Sequence, residues 1–226
     1  MKALLFAAGL GTRLRPLTEH TPKPLLPVGG KPMLQWHIER LVAAGVSDLI
    51  INSAWLAEQI DQFVGDGRRF GVPVTVSHEP GGPYDTGGAI RHCRSQLGND
   101  PFLVVAGDIW TTFPFADLTT LQLNGALGCL VMVNNPAQHP TGDFRLHEDG
   151  RLTRLEGGNW FTYSGIALLS PAVVDGCDEQ VFPLREPLRA AASAGRLRGL
   201  VWQGEWEDVG TVERYNALNK RLDAQG

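Results

Sequence analysis

Along most of the chain, short apolar runs alternate with stretches whose apolar residues recur every three or four positions. That alternation restricts the fold more than any other feature. Residues 3–7 read as a buried strand. Residues 33–44 read as a helix with Leu34, Ile38, Leu41 and Val42 at helical spacing, and Gly45 supplies a stop. A strand at 48–52, a helix at 55–64 and a strand at 72–77 follow. Next come a helix at 86–97, a buried strand at 101–106, a helix at 116–123 and a strand at 127–133. Strands that alternate with helices build a largely parallel sheet covered on both faces. The expected fold class is therefore α/β: a Rossmann-like three-layer α/β/α arrangement with a mixed, mostly parallel central sheet.

The second half is less regular. Strands are expected at 144–147, 151–155 and 161–169, the first two as a hairpin around Asp149-Gly150. A helix at 184–194, a strand at 197–203 and a closing helix at 212–222 complete the reading. No internal repeat or linker interrupts the chain, so one domain over 1–226 is expected, with no hexapeptide β-helix repeat after the last helix.

Hydrophobic residues make up 43% and charged residues 19%, which argues against long disorder. A net charge of -4 argues against a nucleic-acid partner, because such proteins carry a basic face. No apolar run is long enough to span a membrane. The run after Lys2 stops at Gly9 and continues into Gly11-Thr12-Arg13, which suits a first strand better than a leader. Cys93, Cys129 and Cys177 are odd in number and widely spaced. They read as buried small hydrophobes in a cytoplasmic protein. The six histidines show no metal-ligand spacing.

The sharpest local pattern follows the first strand: Ala8-Gly9-Leu10-Gly11-Thr12-Arg13-Leu14-Arg15-Pro16. Glycines let backbone N–H groups approach phosphate oxygens. Arg13 and Arg15 add charge, and Lys23 stands between Pro22 and Pro24, which stiffen its backbone. Leu14 replaces the third glycine of a dinucleotide fingerprint, and no Gly-Lys-Ser/Thr marks a Walker A loop. Asp108 ends the strand at 101–106, where open α/β sheets bind ligands. Asp208 precedes the last helix. Two such carboxylates with substrate phosphates would suit Mg²⁺.

Gly9-x-Gly11-Thr12-Arg13-x-Arg15-Pro16-Leu17-Thr18 followed by Pro22-Lys23-Pro24-Leu25 resembles the signature of the sugar-1-phosphate nucleotidyltransferases. The resemblance runs along essentially the whole chain. It implies catalytic roles for Arg13, Lys23 and Asp108, and Mg²⁺ held by Asp108 and Asp208. It implies a nucleoside triphosphate held by Ala8, Gly9, Gly11, Thr12, Arg13, Glu79 and Gly87. A sugar 1-phosphate would meet Gly142, Arg145, Glu156 and Ser164. Arg13 would neutralise the leaving pyrophosphate, and Lys23 would contact the transferring phosphate. Such chemistry is mostly positioning and electrostatics and needs no protein nucleophile.

Segments such as Asn52-Ser53-Ala54-Trp55-Leu56 and Gly142-Asp143-Phe144-Arg145-Leu146 are similar to the N-acetylmuramate α-1-phosphate uridylyltransferases of cell-wall recycling. Ser53 and Thr112-Phe113-Pro114 depart from that pattern. The resemblance implies UTP as donor. Glu79 accepts hydrogen bonds only, so it suits the single donor of uracil and also guanine. Mannose 1-phosphate with GTP, glucose 1-phosphate with UTP or dTTP, phosphocholine with CTP, and a non-catalytic nucleotide-binding module stay open. Trp110 and Trp160 are read as packing residues that could also line a sugar pocket. Arg145 is the cation expected near an acceptor carboxylate.

Overall fold

The computed structural model describes residues 1–154 and 159–224. Its strands are β1 (Lys2–Phe6), β2 (Pro27–Val28), β3 (Lys31–Pro32), β4 (Asp48–Ser53), β5 (Val74–His78), β6 (Phe102–Ala106), β7 (Ile109–Thr111), β8 (Gly128–Val133), β9 (Phe144–Leu146), β10 (Leu152–Thr153), β11 (Trp160–Leu169), β12 (Leu197–Val201) and β13 (Trp206–Asp208). Its helices are α1 (Met33–Ala43), α2 (Ala57–Val64), α3 (Asp85–His92), α4 (Arg94–Leu97), α5 (Ala116–Thr119), α6 (Arg185–Ser193) and α7 (Val212–Asp223).

The main sheet runs β10-β9-β11-β6-β1-β4-β5, with β8 on β11 and β12 on β8. The β6-β1-β4-β5 half is parallel, as is the β8–β12 pair. β11 is antiparallel to β6, β8 and β9. The sheet is mixed with mostly parallel central strands, as expected, and β11 is where direction reverses.

The sequence dictates both faces. Leu4, Ile50 and Val104 point into one core with Ile90, Phe102 and Leu188. Their chain neighbours Leu5, Ile51 and Val105 point into the other with Leu34, Ile38, Leu41 and Ile60. Period-two side-chain alternation makes a strand apolar throughout serve two helix layers at once. Each fully buried Leu or Ile contributes about 2 kcal/mol of hydrophobic stabilisation. Among the described residues, no helix is long and apolar enough to cross a membrane.

Several local expectations change. The helix at 55–64 starts at Ala57, because Leu56 is left-handed (φ 51°) and cannot be helical. The helix at 86–97 breaks at Cys93, whose ψ of 3° ends α3 before α4. The helix at 116–123 is the single turn α5, and Leu121 and Leu123 then pack onto the core from a loop. Gly29 and Gly30, both at positive φ, close an unexpected β2–β3 hairpin. The hairpin around Asp149-Gly150 forms as β9–β10. Cys93 and Cys129 are buried and all three cysteines are free thiols.

Candidate active site

The glycine loop leaves β1 at the carboxyl edge of the parallel strands. Asn52, at the end of neighbouring β4, accepts the Ala7 N–H at 2.7 Å and ties the loop's start to the sheet. Gly11 is left-handed (φ 63°), and Thr18 donates its hydroxyl to the Gly11 carbonyl at 2.7 Å. A Cβ on Gly11 would lie 2.8 Å from Thr18 Cγ2, so glycine is required on two counts. A Cβ on Gly9 would meet nothing within 4 Å. That surface of the loop is open for a ligand.

Lys23 opens a short 3₁₀ turn after the extended Pro22. Its stem is buried, and Nζ meets Asp108 Oδ2 at 2.7 Å. Asp108 reaches the glycine loop because Gly107 lets β6 press against β1. The Gly107 N–H donates to Phe6 O at 2.9 Å, and a Cβ on Gly107 would sit 2.4 Å from that oxygen.

The second carboxylate arrives through a ribbon that sequence reading missed. β13 pairs antiparallel with β7, Asp208 opposite Ile109, and Val209 donates its N–H to Asp108 O at 2.9 Å. Residues one hundred positions apart thus become ladder neighbours. Asp208 Oδ2 accepts from Arg214 Nη1 at 2.9 Å, and Arg214 stands in the first turn of α7, capped by Thr211. A Cβ on Gly210 would be 2.5 Å from Arg214 Nη2, 2.9 Å from Asp208 Oδ1 and 3.2 Å from Arg13 Nη2. Arg13, Asp208 and Arg214 therefore converge on this glycine.

These parts line one cleft of about 620 Å³. Ala8, Gly9, Gly11, Thr12, Arg13, Lys23, Glu79 and Asp108 all lie on its wall, with Gly210 at the rim beside Asp208. Asp108 and Asp208 offer hard oxygen donors on half-exposed side chains. Among the described residues, no group of three or more His, Cys, Asp or Glu side chains forms a closed metal cage. Two carboxylates with room for phosphate oxygens fit Mg²⁺.

Glu79 is nearly fully buried, and its oxygens accept from Asn52 Nδ2 at 2.8 Å and Tyr84 N at 2.7 Å. It braces the cleft as well as facing it. Gly87 does not belong on the cleft wall. Its N–H donates to Phe182 O at 3.0 Å, and a Cβ would strike the Phe182 ring at 2.4 Å. It is a helix-packing glycine, and Asp85 and Thr86 line the cleft instead. Asp85 holds a left-handed backbone (φ 60°), a costly conformation for a non-glycine residue that concentrates at functional sites.

A second pocket of about 400 Å³ adjoins the cleft, sharing Phe6, Asp85, Thr86 and Ala106. Its further wall includes Asp143, Tyr163, Gly165 and Arg185. The expected sugar residues are displaced from it. Gly142 is a left-handed turn glycine facing a separate groove with Trp160. Arg145 lies within β9, paired with Trp160 and Thr153. Ser164 is buried, its hydroxyl accepting from Ile166 N at 3.2 Å. Glu156 lies outside the described residues. Gly142, Arg145 and Ser164 are each the chain neighbour of a residue that lines this pocket: Asp143, Phe144 and Tyr163. Trp110 packs edge-on against Trp36 at 5.3 Å, a core role.

Beneath the site, His37 is buried, Nε2 lies 3.0 Å from Ile109 O, and Nδ1 has no partner. Desolvation holds its pKa down at about 4, so it is neutral. The Tyr163 phenol is also buried without a partner, and desolvation, then the Asp143 charge, pushes its pKa up.

A family model described as nucleotidyl transferase matches residues 2–146, which carry the glycine loop, Lys23 and Asp108. The chain belongs to the nucleotidyl transferase family. It is 43% identical over 219 residues to N-acetylmuramate alpha-1-phosphate uridylyltransferase of Neisseria meningitidis, covering 95% of each chain. It is 32% identical to mannose-1-phosphate guanyltransferase beta-B of Xenopus laevis, matching 93% of this chain and 61% of that longer protein. In fold it is similar to a Bacillus anthracis protein assigned as a glucose-1-phosphate thymidylyltransferase, at a TM-score of 0.86 and 22% identity over 98% of this chain and 95% of that one.

Proposed function

We propose that this nucleotidyltransferase moves a uridylyl group from UTP to N-acetylmuramate α-1-phosphate, giving UDP-N-acetylmuramate and pyrophosphate. The observation that carries the reading is the gathering of Arg13, Lys23, Asp108 and the Asp208 rim at one cleft. It occurs in a chain this similar to a uridylyltransferase acting on that sugar phosphate.

A sugar-phosphate oxygen forms a bond to the α-phosphorus, and the bond from that phosphorus to the bridging oxygen breaks. The electron pair leaves with pyrophosphate. Open glycine N–H groups and Arg13 hold the outer phosphates. Lys23, stiffened by its prolines, faces the transferring group and offsets charge developing there. Asp108 and Asp208 would hold Mg²⁺, which when bound would neutralise charge on the phosphate oxygens. The 400 Å³ pocket takes the sugar. Free thiols at Cys93, Cys129 and Cys177 suit a reducing cytoplasm.

The similarity to a mannose-1-phosphate guanyltransferase motivates a second reading, the same chemistry with GTP and mannose 1-phosphate. Pyrophosphate release with Mg²⁺, each nucleoside triphosphate and a panel of sugar 1-phosphates separates the two. The first reading requires preference for UTP with N-acetylmuramate α-1-phosphate. A preference for GTP with mannose 1-phosphate would replace it.

A further inference from the structure

Both carboxylates assigned to the metal already hold a cation from the protein. Lys23 occupies Asp108 Oδ2 at 2.7 Å, and Arg214 occupies Asp208 Oδ2 at 2.9 Å. Lys23 belongs to the phosphate machinery, but Arg214 has had no role so far. Its side chain is only 21% exposed, and Asp208's is 28% exposed. The pair is thus partly withdrawn from solvent, where charge attraction is stronger than at an open surface. Its second nitrogen, Nη2, lies against Gly210, where Arg13 Nη2 also approaches. Gly210 lines the cleft. The guanidinium thus lies on Asp208 with its other nitrogen against Gly210, the residue that separates it from Arg13 and the cleft.

We propose that Arg214 is a positioning residue that acts as a stand-in cation, neutralising Asp208 until nucleotide arrives and then turning to its phosphates so that Asp208 accepts the metal. The proposal rests on the metal assignment above. It makes nucleotide and metal binding mutually favourable. Without nucleotide, a divalent cation must displace Arg214 with no anion to receive it. With nucleotide, phosphate oxygens receive the guanidinium and Asp208 is released. Such coupling is reciprocal: whatever factor nucleotide gives the metal, the metal gives the nucleotide.

The test measures Mn²⁺ affinity of the nucleotide-free protein by electron paramagnetic resonance, and UTP affinity by calorimetry with saturating Mn²⁺ and with chelator. Wild type, Arg214→Ala and Arg214→Gln are compared, the glutamine variant keeping length and hydrogen bonding without charge. Both variants are expected to bind Mn²⁺ alone about five-fold more tightly, the effect of removing a partly buried competing ion pair. In both, the factor by which Mn²⁺ improves UTP binding should shrink. A residue that merely props the helix would leave Mn²⁺ affinity unchanged or weaken it, and that result in either folded variant overturns the proposal. If wild type binds no Mn²⁺ even with UTP, the metal assignment itself fails and the proposal goes with it.

Discussion

Replacing Asn52 tests how the glycine loop is held. This side chain is buried and does two jobs: Oδ1 accepts the Ala7 N–H at 2.7 Å, and Nδ2 donates to Glu79 at 2.8 Å. Leucine is close in shape and offers neither bond. Asn52→Leu would leave one buried backbone N–H without an acceptor and take one of two donors from a buried carboxylate. Each orphaned group costs about 2 kcal/mol, and the added apolar burial returns about 1 kcal/mol. A net loss of about 3 kcal/mol follows, which for a chain of this size lowers Tm by about 6–12 °C. Differential scanning calorimetry reads it, and KM for UTP should rise because Ala7 anchors the loop. Asn52→Asp sharpens the test by setting a second carboxylate against Glu79. Close carboxylates share a proton, so the pair's folded-state pKa rises above the unfolded value. The stability deficit of Asn52→Asp should therefore be smallest near pH 4 and grow as pH rises toward 8. A fall in Tm below about 2 °C for Asn52→Leu, or a pH-independent deficit for Asn52→Asp, would refute this account of the brace.

Gly11→Ala combines a left-handed backbone with a 2.8 Å clash at Thr18. It should destabilise by about 1–2 kcal/mol in urea denaturation and raise KM for UTP. His37 has a folded pKa of about 4 against an unfolded value of 6.5. Its unfolded form binds more protons between those values, so stability should be full above pH 6.5 and fall as pH drops toward 4. The loss is on the order of 3 kcal/mol, and a His37→Leu protein should lack it in pH-dependent urea melts. Asp108→Asn keeps the shape of a half-exposed side chain. It should abolish pyrophosphate release in a turnover assay while far-ultraviolet circular dichroism stays native.

The layers were legible because β6 and the centres of β1 and β4 are apolar on both faces, a pattern that suits few other settings. The glycine loop and Asp108 were legible because each directly follows an apolar strand, and Lys23 because prolines frame it. The β7–β13 ribbon was not. Its strands are three residues long, too short to show alternation, and their pairing spans nearly one hundred residues. Asp208 was singled out by its motif; what brings it to Asp108 appears only in the ladder. The lining of the adjoining pocket differs from the expected sugar residues by about one position for a related reason. β11 shifts register between Tyr163 and Ala167 around left-handed Gly165, an irregularity that strand alternation alone does not announce. Ser164 is buried, and its neighbour Tyr163 lines the pocket while packing against the core.

The most direct measurement is anomalous diffraction from a crystal grown with UTP and Mn²⁺. A manganese peak bridging Asp108, Asp208 and the α-phosphate, with the outer phosphates on the glycine loop beside Arg13, is the predicted map. A triphosphate bound elsewhere, or manganese away from both aspartates, would contradict the account.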